Sequence, residues 1–469
     1  MNPIYPLIEI TQRTSGRILL SAGLVFLAGC QTYQAQPLSP AAVAAAAQPP
    51  DLPTVKIAAA QLKHPLMAAI AIDGRDGLTP DEVAVMTVIV SPKLRALRNQ
   101  AGVAQAQVIQ AGLLPNPQLG YTLDKLAGNQ DPTLIDGASL GLSWEVTSLL
   151  GYRQRAAAAQ STSDALNLDI AWQEWQAAQA ARLSAYRILS LQRRLTFARD
   201  AEHDLAEAAA EVRKAYDLRD KTAPDLAAAL AAESVARDAR FALEQELTAE
   251  QSALRLGLSL PPDAPVQLKP AVTDIALDRT WDAPTLLAGL ETRRLDLVAL
   301  TLGYESSDAT LRAAIWTQFP KVSLSFARAH DTSDVKTHSL GVTVDLPLFD
   351  RNQGQIKIAR ATRQQLFNEF VVRVGEAKAD VVRILSNISI LQAQSKTLDA
   401  EVPQLEEIAA ALDRTMATRD ADPQVWRDAH NALLTRRIEA VKVRQDLLDL
   451  AVALEIATGQ PLLLSHSTP

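Results

Sequence analysis

Ile188, Leu191, Leu195, Ala198, Glu202, Leu205, Ala209, Val212 and Tyr216 follow one another at alternating intervals of three and four residues. The rhythm returns 200 residues later as Ile388, Leu391, Ser395, Leu398, Val402, Leu405, Ala409, Leu412 and Met416, and extends back to Val381 and Ile384. Apolar residues at this spacing keep one seam turned toward a partner helix over several heptads, so each track predicts a long helix in coiled-coil packing. A single amphipathic helix on a globular core would explain either track alone, but not two in register. Each helix is expected to reverse, through Asp217–Pro224 and through Ala417–Pro423, and to return over Leu226–Leu256 and Val425–Ile456, stopping near Gly257 and Gly459. An outgoing helix from about residue 155 to 216 would reach ~90 Å, longer than a compact domain of this size holds. Pro403 lies inside the second track and is expected to kink it or begin a new segment.

The duplication continues upstream. Leu94, Ala96, Leu97 and Pro117 return as Leu297, Ala299, Leu300 and Pro320, a shift of 203. Between the helices two pairs of strands are predicted from strict alternation. Leu119, Tyr121 and Leu123 alternate with Gly120, Thr122 and Asp124; Leu140, Leu142, Trp144 and Val146 with Gly141, Ser143 and Glu145. In the second copy Val322, Leu324 and Phe326 alternate with Ser323, Ser325 and Ala327, and Leu340, Val342, Val344 and Leu346 with Gly341, Thr343 and Asp345. One apolar and one small or polar face fits a half-buried soluble sheet or a membrane barrel with lipid outside and water inside. A bilayer admits only closed barrels among β-structures. Four strands cannot close, eight leave an interior filled by side chains, and twelve leave room for water. A cyclic trimer contributing four strands per chain is therefore expected.

Composition agrees with thin, closely packed helices. The 469 residues are 48% hydrophobic but only 4% aromatic, and alanine runs such as Ala156–Ala159 and Ala227–Ala232 favour helix over thick cores. A net charge of −7 offers no footprint for nucleic acid, and one cysteine excludes an intramolecular disulfide and a multi-cysteine zinc site. Arg13 and Arg17 precede the apolar run Ile18–Gly29, a secretory leader over 1–29. Cys30 follows Leu27-Ala28-Gly29, which resembles a bacterial lipobox and marks Cys30 for lipidation; Gln31 after it, by resemblance to sorted lipoproteins, directs the chain to the outer membrane. Residues 31–53, rich in Gln, Ala and Pro, read as a flexible tether.

Together these residues resemble the outer-membrane efflux protein family, the TolC-like ducts, over roughly residues 76–460. Leu78-Thr-Pro-Asp-Glu-Val-Ala84 with Ser91-Pro-Lys-Leu-Arg-Ala96 is similar to the family's opening helix, and physically Thr79, Pro80 and Glu82 form a capping box. Ala111-Gly-Leu-Leu-Pro-Asn-Pro117 resembles the lead into the first strand. Leu346-Pro-Leu-Phe-Asp-Arg-Asn-Gln-Gly354 resembles the exit from the last strand, most of all in ducts of resistance-nodulation-division heavy-metal systems. Val402-Pro403-Gln404 falls where the family often carries a proline. The resemblance implies a mainly α, internally duplicated protomer whose trimer joins a twelve-stranded outer-membrane barrel to a periplasmic helical tunnel. It implies passive conduction, no catalytic residue, no cofactor, and docking onto a periplasmic adaptor (membrane fusion) protein and an inner-membrane efflux pump.

The expected plan is a leader over 1–29, a lipidated N-terminus and linker over 30–75, a first repeat over 76–270, a second over 271–460 and a tail over 461–469. Strands are expected at about 117–126, 137–147, 320–329 and 336–348, and long helices at about 155–216, 224–257, 354–416 and 423–458. The family often places glycine at the helix reversals, where this chain has Arg219 and Arg419. Asp217, Leu218, Arg219, Asp220, Thr418 and Arg419 are the candidate adaptor-docking tips. The family's second reversal often carries aspartates that narrow the opening; the nearest positions here are Gln424 and Arg427, beside Asp420, Asp422 and Asp428. A ring of three like charges between low-dielectric walls would gate or select. The alternative for any one of them is an ordinary solvated turn with a capping Asp. The six histidines are scattered and form no expected metal site, and the paired carboxylates on the helices read as solvated faces. The alternative function is a periplasmic coiled-coil structural or adaptor lipoprotein without a pore, which accounts for the heptads and Cys30 but not for four matched strands.

Overall fold

A computed structural model describes residues 32–48, 51–128, 133–269, 279–417 and 422–463. The chain divides into two units, Met1–Gln48 and Pro49–Pro469. In the first, α1 (Pro40–Ala47) starts where the Ser39 hydroxyl accepts from the Ala42 N–H, with proline in its first turn. In the second, α2 (Leu52–Ala60) buries Val55 and Ala59 with Ile72, Val85 and Val90. The stretch expected as a free tether thus holds helix, because the alanines that give it low complexity are also the best helix formers.

The second unit then runs α3 (Pro80–Val90), α4 (Pro92–Ala111), β1 (Gln118–Asp124), β2 (Gly137–Glu145), α5 (Ser148–Asp217), α6 (Ala223–Gly257), α7 (Ala283–Leu287), α8 (Leu290–Arg293), α9 (Leu295–Trp316), β3 (Lys321–His330), β4 (Lys336–Asp345), α10 (Gln353–Ala417) and α11 (Pro423–Thr458). The duplication is visible in these boundaries. α4, β1 and the N-cap Thr79 recur 203 residues on as α9, β3 and the N-cap Asp282; the ends of β2 and α5 and the start of α6 recur 200 residues on. Ser91 closes α3 and caps α4, and Arg294, 203 residues later, closes α8 and opens α9.

Each start has a local cause. Thr79 Oγ1 accepts from the Glu82 N–H at 3.2 Å while Glu82 Oε2 accepts from the Thr79 N–H at 2.7 Å, the reciprocal capping box. Asp225 does the same for Thr222 at the head of α6, and Asp422 Oδ1 accepts from the Gln424 N–H at the head of α11. α5, 70 residues long, would extend ~105 Å if straight.

The heptad seams are the core of the helical layer. Ile188, Leu191, Leu195, Ala198, Leu205, Ala209 and Val212 on α5 are buried, packing against Leu243, Leu254 and Ala229 of α6. Val381, Ile384, Ile388 and Leu398 on α10 meet Val443, Leu447 and Leu454 of α11. Pro403 does not break α10, which is helical throughout Gln353–Ala417. Its missing N–H would have bonded to the carbonyl of Asp399, and both residues are exposed, so water can take the carbonyl.

The strands form one antiparallel meander in the order β1-β2-β3-β4. Register places Leu119, Leu142, Phe326 and Leu340 in one row and Gln118, Ser143, Ser325 and Gly341 in the next. Because opposed residues share a face, the apolar set of all four strands lies on one side and the Gly/Ser/Thr set on the other.

Candidate functional site

The apolar face of the sheet is uncovered. Leu119 is 72% exposed, Leu340 88% and Val342 67%, and Tyr121, Leu140, Leu142, Leu324, Phe326 and Val344 are exposed beside them. A soluble protein would bury such a face. From the row of Val322 and Val344 the strands advance four residues to the row of Phe326 and Leu340, apolar on every strand, and a further four to the row of Leu123 and His330, where the apolar residues continue on β1 and β2 alone, ~27 Å in all at ~3.4 Å per residue. Aromatic residues gather where the sheet meets the helices: the Trp144 indole donates to the Pro115 carbonyl at 2.8 Å, Trp316 and Phe319 rings stand 5.6 Å apart, and Phe349 is 93% exposed. Both edges, β1 and β4, are unpaired within the chain and run in opposite directions.

At the first reversal α5 ends in a Schellman motif: the Asp220 N–H donates to the Ala215 carbonyl at 2.8 Å and the Arg219 N–H to that of Tyr216 at 2.9 Å. This puts Arg219 at φ 67°, the left-handed region where a side chain is strained. Asp217, Leu218, Arg219 and Asp220 are all exposed, Leu218 by 73%. Thr418, Arg419 and Asp420 lie outside the described residues, as do the leader and Cys30.

At the second reversal, Asp422, Gln424 and Asp428 sit together: the Gln424 amide donates to the Asp428 carboxylate at 3.2 Å. Arg427 is buried and donates to the Gln424 side-chain oxygen; the Asp225 carboxyl of the first hairpin is held low chiefly by its Thr222 hydrogen bonds, with smaller pulls from Lys221 and Arg427. The Trp426 indole and the His430 ring stack at 4.2 Å, and both contact Asp413 Oδ1, at 2.8 and 3.0 Å. Between α5 and α11 lies a groove of about 430 Å³ lined by Phe197, Asp204, His430, Leu433 and Arg437. Burial there pushes the Asp204 carboxyl up, against the charge of His430.

A third polar centre was not foreseen in the sequence. Glu455 is fully buried; its Oε1 accepts from the Leu462 and Leu463 N–H groups, both at 2.6 Å, and its Oε2 from Gln179 at 3.0 Å and Arg182 at 2.9 Å. Arg182 Nε lies 2.8 Å from Asp81. Burial pushes the Glu455 carboxyl up against the pull of Arg182 and the two backbone donors. The cluster ties α5 of the first copy to α11 and the following tail of the second. The signal was a lone charge inside the apolar run Leu454-Glu455-Ile456. Among the described residues no helix is long and apolar enough to cross a membrane, and no cluster of His, Cys, Asp or Glu is arranged to hold a metal.

Comparison with known proteins agrees with this geometry. The model of the family described as outer membrane efflux protein matches residues 286–460. No curated protein matches the chain. Among solved structures, the outer membrane protein VceC of Vibrio cholerae superposes with a TM-score of 0.66 at 17% identity, covering 81% of this chain and 96% of its own. CusC, studied for folding and transmembrane channel formation, gives 0.67 at 16% identity over 85% and 98%. The open state of the Neisseria gonorrhoeae outer membrane channel MtrE gives 0.59 at 15% identity over 92% and 98%. Residues 286–460 thus match the model of the outer membrane efflux protein family, and the chain over most of its length carries the fold of these outer-membrane channels.

Proposed function

We propose that the chain is the exit duct of a tripartite efflux system: a homotrimer whose twelve strands close a barrel in the outer membrane and whose helices continue as a periplasmic tunnel. The observation that carries this is the four-stranded sheet with one uncovered apolar face and two free, oppositely directed edges. β4 of one copy and β1 of the next meet antiparallel, so cyclic closure leaves no unsatisfied edge in lipid. The small face, with Gly120, Gly141, Ser143, Ser325 and Gly341, then lines a water-filled passage. The duct conducts passively and catalyses nothing; which substrate passes, divalent metal or drug, follows from the pump it serves.

In this reading Asp217, Leu218, Arg219, Asp220, Thr418 and Arg419 present the tips to a periplasmic adaptor and inner-membrane pump, and Asp420, Asp422, Gln424, Arg427 and Asp428 form the narrow periplasmic opening. Cys30 carries the lipid anchor. Electron microscopy of detergent-extracted protein tests the duct: a hollow three-fold particle longer than ~100 Å is expected, while a solid rod would replace it with the pore-free coiled-coil lipoprotein. Alanine at Asp422 and Arg427 is expected to change single-channel conductance, and unchanged conductance removes them from the opening. Cys30→Ala is expected to abolish labelling by radioactive palmitate; undiminished labelling removes the anchor.

A further inference from the structure

Toward the end of the sheet away from the long helices, the apolar face changes character. Arg328 on β3 stands opposite His338 on β4, and His330 opposite Lys336. These four basic residues form a two-by-two block on the face that elsewhere carries Phe326, Leu340, Leu324 and Val342, because positions 326, 328 and 330, and 336, 338 and 340, share one side of their strands. Neighbouring strands lie ~4.8 Å apart and alternate residues ~7 Å apart, so the block concentrates its charge within the footprint of one headgroup.

Arg328, Lys336 and His338 are exposed, and the His338 ring lies nearly parallel to that of Phe326, centroids 6.2 Å apart, over the rim of the apolar band. The acidic counterpart in the described structure is Asp334 of the β3–β4 turn, which takes the His330 ring nitrogen. Lys336 adds its charge to the pull of His330 on Asp334, and Arg328 forms no ion pair among the described residues. The opposite rim of the same face, next to the helices, is aromatic instead, with Trp144, Trp316 and Phe319. The two membrane boundaries are thus chemically different, and a basic cluster facing lipid at one boundary calls for phosphate there.

We propose that Arg328, His330, Lys336 and His338 bind the phosphate groups of a phosphomonoester-bearing glycolipid, of the lipid A kind, in the outer leaflet. This rests on the barrel reading above, which puts the strand ends remote from the helices outermost. A phosphomonoester carries more charge than the single charge of a phosphodiester lipid and suits a cluster of four donors. The block includes edge strand β4, so one bound headgroup per chain would lie at the joint with β1 of the adjoining copy. It would brace the joint between protomers.

The test reconstitutes the full-length protein in phosphatidylcholine vesicles alone, with added phosphatidylglycerol, or with added lipid A, and counts retained lipids by native mass spectrometry after delipidation. Three retained lipid A molecules per trimer are expected, against no comparable retention of phosphatidylglycerol. The double substitution Arg328→Gln with Lys336→Gln is expected to weaken lipid A retention at least tenfold, whereas Lys396→Gln, on α10 well away from the sheet, leaves it intact. Equal retention by wild type and the double variant overturns the proposal, and so does equal retention of the two anionic lipids. Protein that fails to float with vesicles of any composition overturns the barrel reading itself, and the lipid site with it; protein that floats but shows no headgroup preference overturns only the lipid site.

Discussion

Leu142 and Ser143 are neighbours in β2 but belong to opposite faces, which makes them a decisive pair. Leu142 stands in the row of Leu119, Phe326 and Leu340, near the middle of the apolar band, and is 48% exposed. Ser143 stands in the row of Gln118, Ser325 and Gly341, where small neighbours leave room for a long side chain. An arginine facing lipid near the bilayer midplane costs ~2–4 kcal/mol in a barrel, so Leu142→Arg should destabilise the trimer by ~6–12 kcal/mol across its three copies. Ser143→Arg should leave stability within ~1 kcal/mol per chain, since its guanidinium meets water. It should instead place three cations in the passage and reduce cation conductance. Urea unfolding of the vesicle-inserted trimer measures the first effect, and planar-bilayer recording the second. If Ser143→Arg proved as damaging as Leu142→Arg, or if Leu142→Arg narrowed the conductance at unchanged stability, the two faces would be assigned the wrong way round. Closure of the sheet by three chains would then fail with it.

Three further outcomes follow from the helical layer. Glu455→Ala leaves the Arg182 guanidinium buried and two backbone donors unpaired, and should cost about 3–5 kcal/mol in equilibrium unfolding; a cost below ~1 kcal/mol would mean the cluster does not join the copies. Arg219→Gly should stabilise the first hairpin by about 1 kcal/mol, because glycine holds φ 67° without a Cβ penalty, and a lowered melting temperature would contradict the Schellman geometry. Asp204, whose carboxyl is pushed up by burial, contributes stability that is fully present below its unfolded value and is lost as pH rises through its folded one. Asp204→Asn should therefore melt higher than wild type at pH 7, with the difference closing toward pH 3; a difference that widens in acid would reverse the sign of the burial effect.

How much of this was legible in the sequence depends on which physical signal each part uses. The seams were, since Ile188 through Val212 and Val381 through Leu398 are read by periodicity alone and are buried where the tracks meet their return helices. So were the strands, because alternation as strict as Leu140–Val146 has one geometric meaning. The stretch 31–53, whose composition suggested a tether, holds the helix Pro40–Ala47, and α2 beyond it is fixed by Val55 and Ala59 packing with Val85 and Val90, a contact no local window contains. Of the two outcomes expected at Pro403, a new segment does not occur: the helix runs through it, with the orphaned carbonyl of Asp399 open to water. Arg182 and Glu455 are 273 residues apart, and only the folded pairing of the two copies brings their charges together.

Where the copies differ is more telling than where they agree. A trimer of duplicated chains is close to six-fold, and its sheet keeps that approximate symmetry: each copy supplies one hairpin with the same inward and outward pattern. The tips do not. Leu226, Ala227 and Leu230 of the first copy are replaced, at the shift of 200, by Trp426, Arg427 and His430 of the second. In the structure this triplet binds Asp413 through Trp426 and His430, while Arg427 donates to the Gln424 side chain. These side chains sit on the copy-two hairpin alone, where Trp426, Arg427 and His430 bond to Asp413 and Gln424, partners that Leu226, Ala227 and Leu230 of the first copy could not engage, so the two hairpins of one chain differ in chemistry at their tips while sharing the same buried seams.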